Sequence, residues 1–88
     1  MSQEFFHQQL IIGQLYRIYI PYGSRLIFNG TEYSDKDIFM ILTEPQKAGN
    51  VDNIYTEQYF SFKALVRDHV VNIMCPARQF INFKPIII

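Results

Sequence analysis

The chain has 88 residues, 49% of them hydrophobic and 16% aromatic, with eight Lys and Arg balanced by eight Asp and Glu. That length allows one domain with one core, and a charged fraction of 18%, below the roughly 25% usual for soluble domains, excludes disorder as the main state. One cysteine, Cys75, excludes an internal disulfide; with neither a basic leader nor an apolar run of membrane-spanning length, a cytoplasmic protein away from membranes is expected.

Thirteen Ile, eight Phe and six Tyr stand against three Ala, and β-branched and aromatic side chains suit a pleated surface better than a helix. The N-terminal piece is the exception. Ser2 can cap a short helix in which Phe6 and Leu10 sit at i and i+4, with Gly13 where a helix would stop. Residues 1–12 are therefore read as a helix or arm, and residues 13–88 as the β domain. From Gln14 to Ile20 the chain alternates, with Tyr16, Ile18 and Ile20 on one face and Leu15, Arg17 and Tyr19 on the other. Pro21 and Gly23 end that strand.

Arg25–Phe28 and Thr31–Ser34 flank Asn29-Gly30, a pair that favours a type I′ hairpin turn because both residues tolerate positive φ. A polar turn at Ser34-Asp35-Lys36-Asp37 leads into Ile38–Thr43, a near-continuous apolar run closed by Pro45. Residues Gln46–Gln58 read as the longest loop. Tyr59–Val66 alternates again, Phe60, Phe62, Ala64 and Val66 sharing one face. Arg67-Asp68-His69 turns the chain into Val70–Cys75, and Pro76 can open one helical turn through Gln79 before a last strand over Phe80–Ile86.

Residues that could carry catalysis are few. Cys75 and His69 are six positions apart with nothing to bring them together, and a buried structural role suits the thiol. No set of Cys and His has zinc-site spacing. Asp35-Lys36-Asp37 lacks the glycine and distal glutamate of a calcium loop, and the four glycines are scattered singly, so no phosphate-binding loop is present. We expect no enzyme and no cofactor.

Charge and aromatic content are more informative. Residues 1–44 hold three cations and five carboxylates, net −2, whereas residues 45–88 hold five cations and three carboxylates, net +2. Lys63, Arg67, Arg78 and Lys84, interleaved with Phe80 and Phe83 as stacking platforms, form the residue mix of a single-strand nucleic-acid surface. A chain that is neutral overall lacks the electrostatic footprint of that class, so nucleic-acid binding ranks second. Six tyrosines exceed what one small core needs with their hydroxyls satisfied, and tyrosine is enriched at protein interfaces. Tyr19, Tyr22, Tyr33, Asn53, Tyr55 and Tyr59 are the candidate partner-binding residues. Ordinary cross-strand aromatic pairing is the competing account of the same tyrosines.

The order Tyr59–Val66, Arg67-Asp68-His69, Val70–Cys75, Pro76-Ala77-Arg78-Gln79-Phe80 and Ile81–Ile86 resembles the second half of a Src-homology-three-like small barrel: a hairpin with a tight turn, a proline opening one helical turn, and a short closing strand. Ser2–Leu10 with Leu26-Ile27-Phe28-Asn29-Gly30 resembles the N-terminal helix and turn of Sm-like barrels. The resemblance implies an all-β small barrel of five to seven short strands. With no tryptophan and no Arg-Gly motif of the Sm type, neither proline-rich peptide binding nor an RNA-binding ring is expected. The short, Ile/Phe/Tyr-rich chain is similar in texture to accessory proteins of large phages, which implies a modulator or inhibitor of a host protein.

The expected function is thus a non-catalytic protein-binding module whose partner is another protein. Apolar residues at both ends, Phe5, Phe6, Leu10, Ile11 and Ile12 at one and Ile86–Ile88 at the other, also predict self-association, with a homodimer the simplest form.

Overall fold

The computed structural model describes residues 10–48 and 59–87. Eight short strands follow in chain order: β1 (Leu15–Ile18), β2 (Leu26–Phe28), β3 (Thr31–Tyr33), β4 (Phe39–Ile41), β5 (Gln46–Lys47), β6 (Tyr59–Val66), β7 (His69–Pro76) and β8 (Phe83–Pro85), with a 3₁₀ turn at Ala77–Asn82 between β7 and β8. Every pairing is antiparallel. The all-β class expected from composition and alternation is the class observed.

The longest ladder is β6 with β7, registered from Tyr59↔Pro76 to Val66↔His69. Its turn is tighter than the three residues expected: Arg67 and Asp68 alone make it, with φ of 52° and 64°, so His69 already belongs to β7. At the other hairpin Asn29 (φ 52°) and Gly30 (φ 81°) connect β2 to β3 as their sequence predicts. A left-handed arginine is unusual. Arg67 is held there by Asp37 of the β3–β4 turn, to which its Nε and Nη2 both donate at 2.8 Å, and by the Tyr33 ring, whose centroid lies 4.7 Å from the guanidinium carbon.

On the other side β6 is shared. Its C-terminal half pairs with β4 (Met40↔Leu65) and its N-terminal half with β5 (Gln46↔Ser61). Between these pairs the β4–β5 strand carries extra residues and bulges. Leu42 and Thr43 both donate to the Lys63 carbonyl, at 2.8 and 3.4 Å, while the Thr43 hydroxyl accepts the Lys63 N–H at 2.8 Å. Pro45 sits in this irregular stretch, where its missing N–H is not needed. β1 lies between β4 and β8, which puts the pairing order at β7-β6-β4-β1-β8.

That order corrects the expected barrel. Among the described residues nothing pairs β7 with β8, so the sheet is open at that seam, and the strands there number eight rather than five to seven. The 3₁₀ turn occupies the stretch that an earlier-starting last strand would have used, taking Phe80 with it. Leu10, assigned by sequence to the arm, is buried in the core, and Gly13 N–H donates to the Ile41 carbonyl at 2.8 Å. All of the expected N-terminal helix but Leu10, and most of the expected loop, lie outside the described residues; the start of that loop is β5.

Alternation puts the inward residues into one core. Phe28, Tyr33 and Phe39 meet at centroid distances of 5.4 to 6.2 Å. Phe62, Phe80 and Phe83 meet at 6.0 to 6.4 Å, and Tyr16 closes edge-on to Phe83 at 6.1 Å. The buried Tyr16 hydroxyl accepts the Ile11 N–H at 3.0 Å, and no buried side-chain nitrogen or oxygen lacks a partner among the described residues.

Phe39, fully buried between Phe28 and Tyr33, is the core position whose loss should cost most. Phe39→Ala is expected to destabilise by about 3–5 kcal/mol, a large share of the stability of so small a domain. Ile27→Ala, exposed on β2, should stay within about 0.5 kcal/mol. Urea unfolding followed by circular dichroism measures both.

Candidate functional site

The hairpin β2–β3 lies against the edge of β7, where the Asn29 side-chain amide donates to the Asn72 carbonyl at 3.0 Å. Further along that edge the hairpin and the sheet diverge, and the 3₁₀ turn bridges from β7 to β8 across the unpaired seam. Two adjoining depressions open there, of about 260 and 320 Å³. They share Ile18, Arg25, Leu26 and Gln79, and so form one groove.

Its floor is apolar because it is the rim of the core: Ile18, Cys75, Pro76 and Phe83 are buried there. Its walls are Ile27, Tyr59 and Met74 at one end and Tyr19, Pro21 and Asn82 at the other. Met74 is 60% exposed on an outward position of β7, a large apolar side chain with little of its area covered. Polar groups stand only at the margin. Arg25 donates to Glu32 at 2.8 Å across the hairpin; both are solvent-exposed, so the pair orients the guanidinium more than it stabilises the fold. The Gln79 and Asn82 amides bond to each other at 3.2 Å.

The candidate thiol is buried, and the candidate imidazole stands at the far end of the same strand. The Cys75 thiol is pushed up to about 12 by burial, so no thiolate forms near neutral pH. His69 opens β7 and Cys75 lies near its end, about 20 Å along an extended strand. No three His, Cys, Asp or Glu residues converge as metal ligands among the described residues. A third depression, about 420 Å³ between the two hairpin turns, has Asn29, Thr31, Tyr33, Arg67 and His69 in its lining; Asn29 is engaged by Asn72 and Arg67 by Asp37.

The expected partner-binding tyrosines divide. Tyr19 and Tyr59 line the groove, and Tyr22 is fully exposed in the β1–β2 connection. Tyr33 is 7% exposed and belongs to the core, which corrects its assignment: as the inward residue of β3, it packs on Phe39. Asn53 and Tyr55 lie outside the described residues.

The basic set divides as well. Phe80 and Phe83 are 5% and 1% exposed, so neither offers a ring face for a base; the 3₁₀ turn and β8 point both into the core. Arg67 is committed to Asp37. Arg78 lies exposed on the 3₁₀ turn beside the groove. Lys63 and Lys84 project from the outer sheet face, Lys63 bonding the Asn72 side chain at 3.3 Å. Sequence reasoning missed Arg25, Ile27, Met74 and Gln79. For Met74 a signal existed, since it alternates out of phase with Val71, Ile73 and Cys75.

No family model, curated protein or solved structure matches the chain. No helix among the described residues is long and apolar enough to cross a membrane.

Two measurements test this electrostatic picture. The hydrogen bonds from Arg67, aided by the Ser34 N–H at 2.8 Å, hold the Asp37 carboxyl below its ordinary value against the opposing effect of burial. A lowered folded value contributes stability that is fully present above the unfolded value and is lost as pH falls through the folded one. The stability difference between the parent and Asp37→Asn should therefore be constant above about pH 5 and shrink below about pH 4, as read by urea midpoints across pH. A thiol reagent at neutral pH should label Cys75 only at the rate of unfolding; rapid labelling of the native protein would contradict its burial.

Proposed function

We propose that this chain is a non-catalytic protein-binding module that takes an apolar, extended segment of another protein into the groove beside the β7–β8 seam. One observation carries the reading: Ile27, Tyr59 and Met74 stand exposed around a floor already desolvated by the core. A peptide side chain entering there covers apolar surface on several sides at once, which is the setting in which interface residues contribute most. Tyr19, Arg25, Arg78 and Gln79 supply polar or aromatic contacts along the second half of the groove. The groove rests on strands and a hairpin, so little ordering accompanies binding.

The Src-homology-three-like reading is supported by the succession of β6, the two-residue turn, β7, a 3₁₀ turn capped by Pro76, and β8. The likeness of the sequence to phage accessory proteins makes host proteins the first partners to assay, with the module as modulator or inhibitor.

Selection from a random-peptide display library tests the groove directly. Recovered peptides should share apolar anchors. Met74→Glu should weaken them by at least tenfold, since a hot-spot residue contributes on the order of 2 kcal/mol, while leaving the melting temperature within a few degrees. Tyr59→Ala should act in the same direction. Peptides whose affinity both variants leave unchanged would place binding elsewhere and overturn the proposal.

A further inference from the structure

The outer face of the sheet, opposite the core, carries a second pattern. Leu15 pairs with Met40, Met40 with Leu65, and Leu65 with Val70, while Ile86 N–H donates to the Leu15 carbonyl at 2.9 Å. Four apolar side chains on β1, β4, β6 and β7, with Ile86 just past the end of β8, therefore line up in a row about 19 Å long at the usual strand spacing. Val70 is exposed and the other four are half-buried. Two residues along the strands to one side stand Arg17 and Lys84, directly opposite each other on β1 and β8. Two residues to the other side stands Lys63. Among the described residues no outward position of these strands carries a carboxylate, and neither Arg17 nor Lys84 has an ion pair.

Like charges directly opposite in an antiparallel pair repel and lower stability. Arg17 facing Lys84 is thus a cost that no described carboxylate offsets, and an anionic partner removes it. The cationic flanks lie about 13 Å apart, four residues of strand. An α-helix, about 10–12 Å across with its side chains, fits between them.

We infer that this face binds an acidic amphipathic helix of another protein, its apolar side on Leu65, Met40 and Leu15 and its carboxylates toward Lys63 on one flank and Arg17 and Lys84 on the other. This surface is separate from the groove, and the inference does not depend on it. The row holds no aromatic ring on which a base could stack, which disfavours a nucleic acid. A second copy would set cations against cations.

The test uses the full chain, labelled with nitrogen-15, and a synthetic amphipathic peptide of Leu, Ala and Glu, roughly 15 residues long so that a helix can form. Its Leu residues recur at i, i+3, i+4 and i+7, with Glu on both flanks. Saturable shifts at Leu15, Arg17, Met40, Lys63, Leu65 and Lys84 are expected, weakening as salt rises. A peptide of the same composition with its apolar face scrambled should bind at least about tenfold more weakly. Arg17→Glu should weaken binding about fivefold or more and raise the melting temperature by about 1–5 °C, because it turns a repulsive cross-strand pair into an attractive one. Lys63→Glu should weaken binding without that gain in stability.

Four results would each overturn the inference: no saturation by about 1 mM peptide; equal binding of the scrambled peptide; shifts confined to the groove around Tyr59 and Met74; or an Arg17→Glu protein that melts lower and binds as tightly as the parent. Tighter binding of oligothymidylate, or of phosphatidylglycerol–phosphatidylcholine vesicles, would reassign the face to nucleic acid or to lipid. A doubled mass by light scattering would reassign it to a second copy.

Discussion

The register of β6 against β7 is the constraint on which the rest of the molecule depends. Eight residue pairs, from Tyr59↔Pro76 to Val66↔His69, put Phe62, Ala64 and Val66 on the same side as Val71, Ile73 and Cys75. A slip of one residue would turn all six toward water and bring Lys63 and Asn72 into the core. The register starts at a turn of two left-handed residues, neither of them glycine. Arg67 tolerates this because Tyr33 of β3 and Asp37 of the turn that follows it hold its side chain, so a contact distant in sequence secures a local conformation.

From that hairpin the outer surfaces follow. β6 is long enough to pair with β4 and β5 in succession, and the bulge between them lets the strand bend around the aromatic core. The sheet ends at β7 and β8 without joining, and the 3₁₀ turn crosses the gap. A closed sheet would have covered the residues at that seam. Left open, it exposes the edge of the core to the hairpin β2–β3 and makes the groove. The same alternation that buries one face displays the other, so that the apolar row and its cationic flanks on the outer face are the reverse side of the core pattern.

Arrangement, more than composition, separates the two proposed binding surfaces. The groove combines aromatic and aliphatic walls with polar groups kept to the margin, a setting for apolar anchors. The outer face combines an aliphatic row with cations on both flanks, a setting for an amphipathic anion. The cations that sequence alone assigned to nucleic acid are dispersed by the fold: Arg67 goes into an ion pair, Arg78 to the groove, and Lys63 and Lys84 to opposite flanks of the outer face. The aromatic rings meant to accompany them, Phe80 and Phe83, are buried.

Strand content, the Asn29-Gly30 turn and the inward faces of β1, β6 and β7 were legible in the sequence, because each depends on neighbours within a few residues: β-branched and aromatic propensity, positive φ at Asn-Gly, and a period of two. The tyrosines could not be sorted that way. Tyr33 and Tyr59 stand in similar local patterns, and only the packing of the β2–β3 hairpin against Phe39 makes one a core residue while the other borders a groove. Nor could sequence tell that the sheet stays open, that Phe80 belongs to a 3₁₀ turn, or that Arg17 faces Lys84 across two strands distant in the chain. Those features arise from pairings between residues tens of positions apart, which no local pattern encodes and which tertiary structure alone decides.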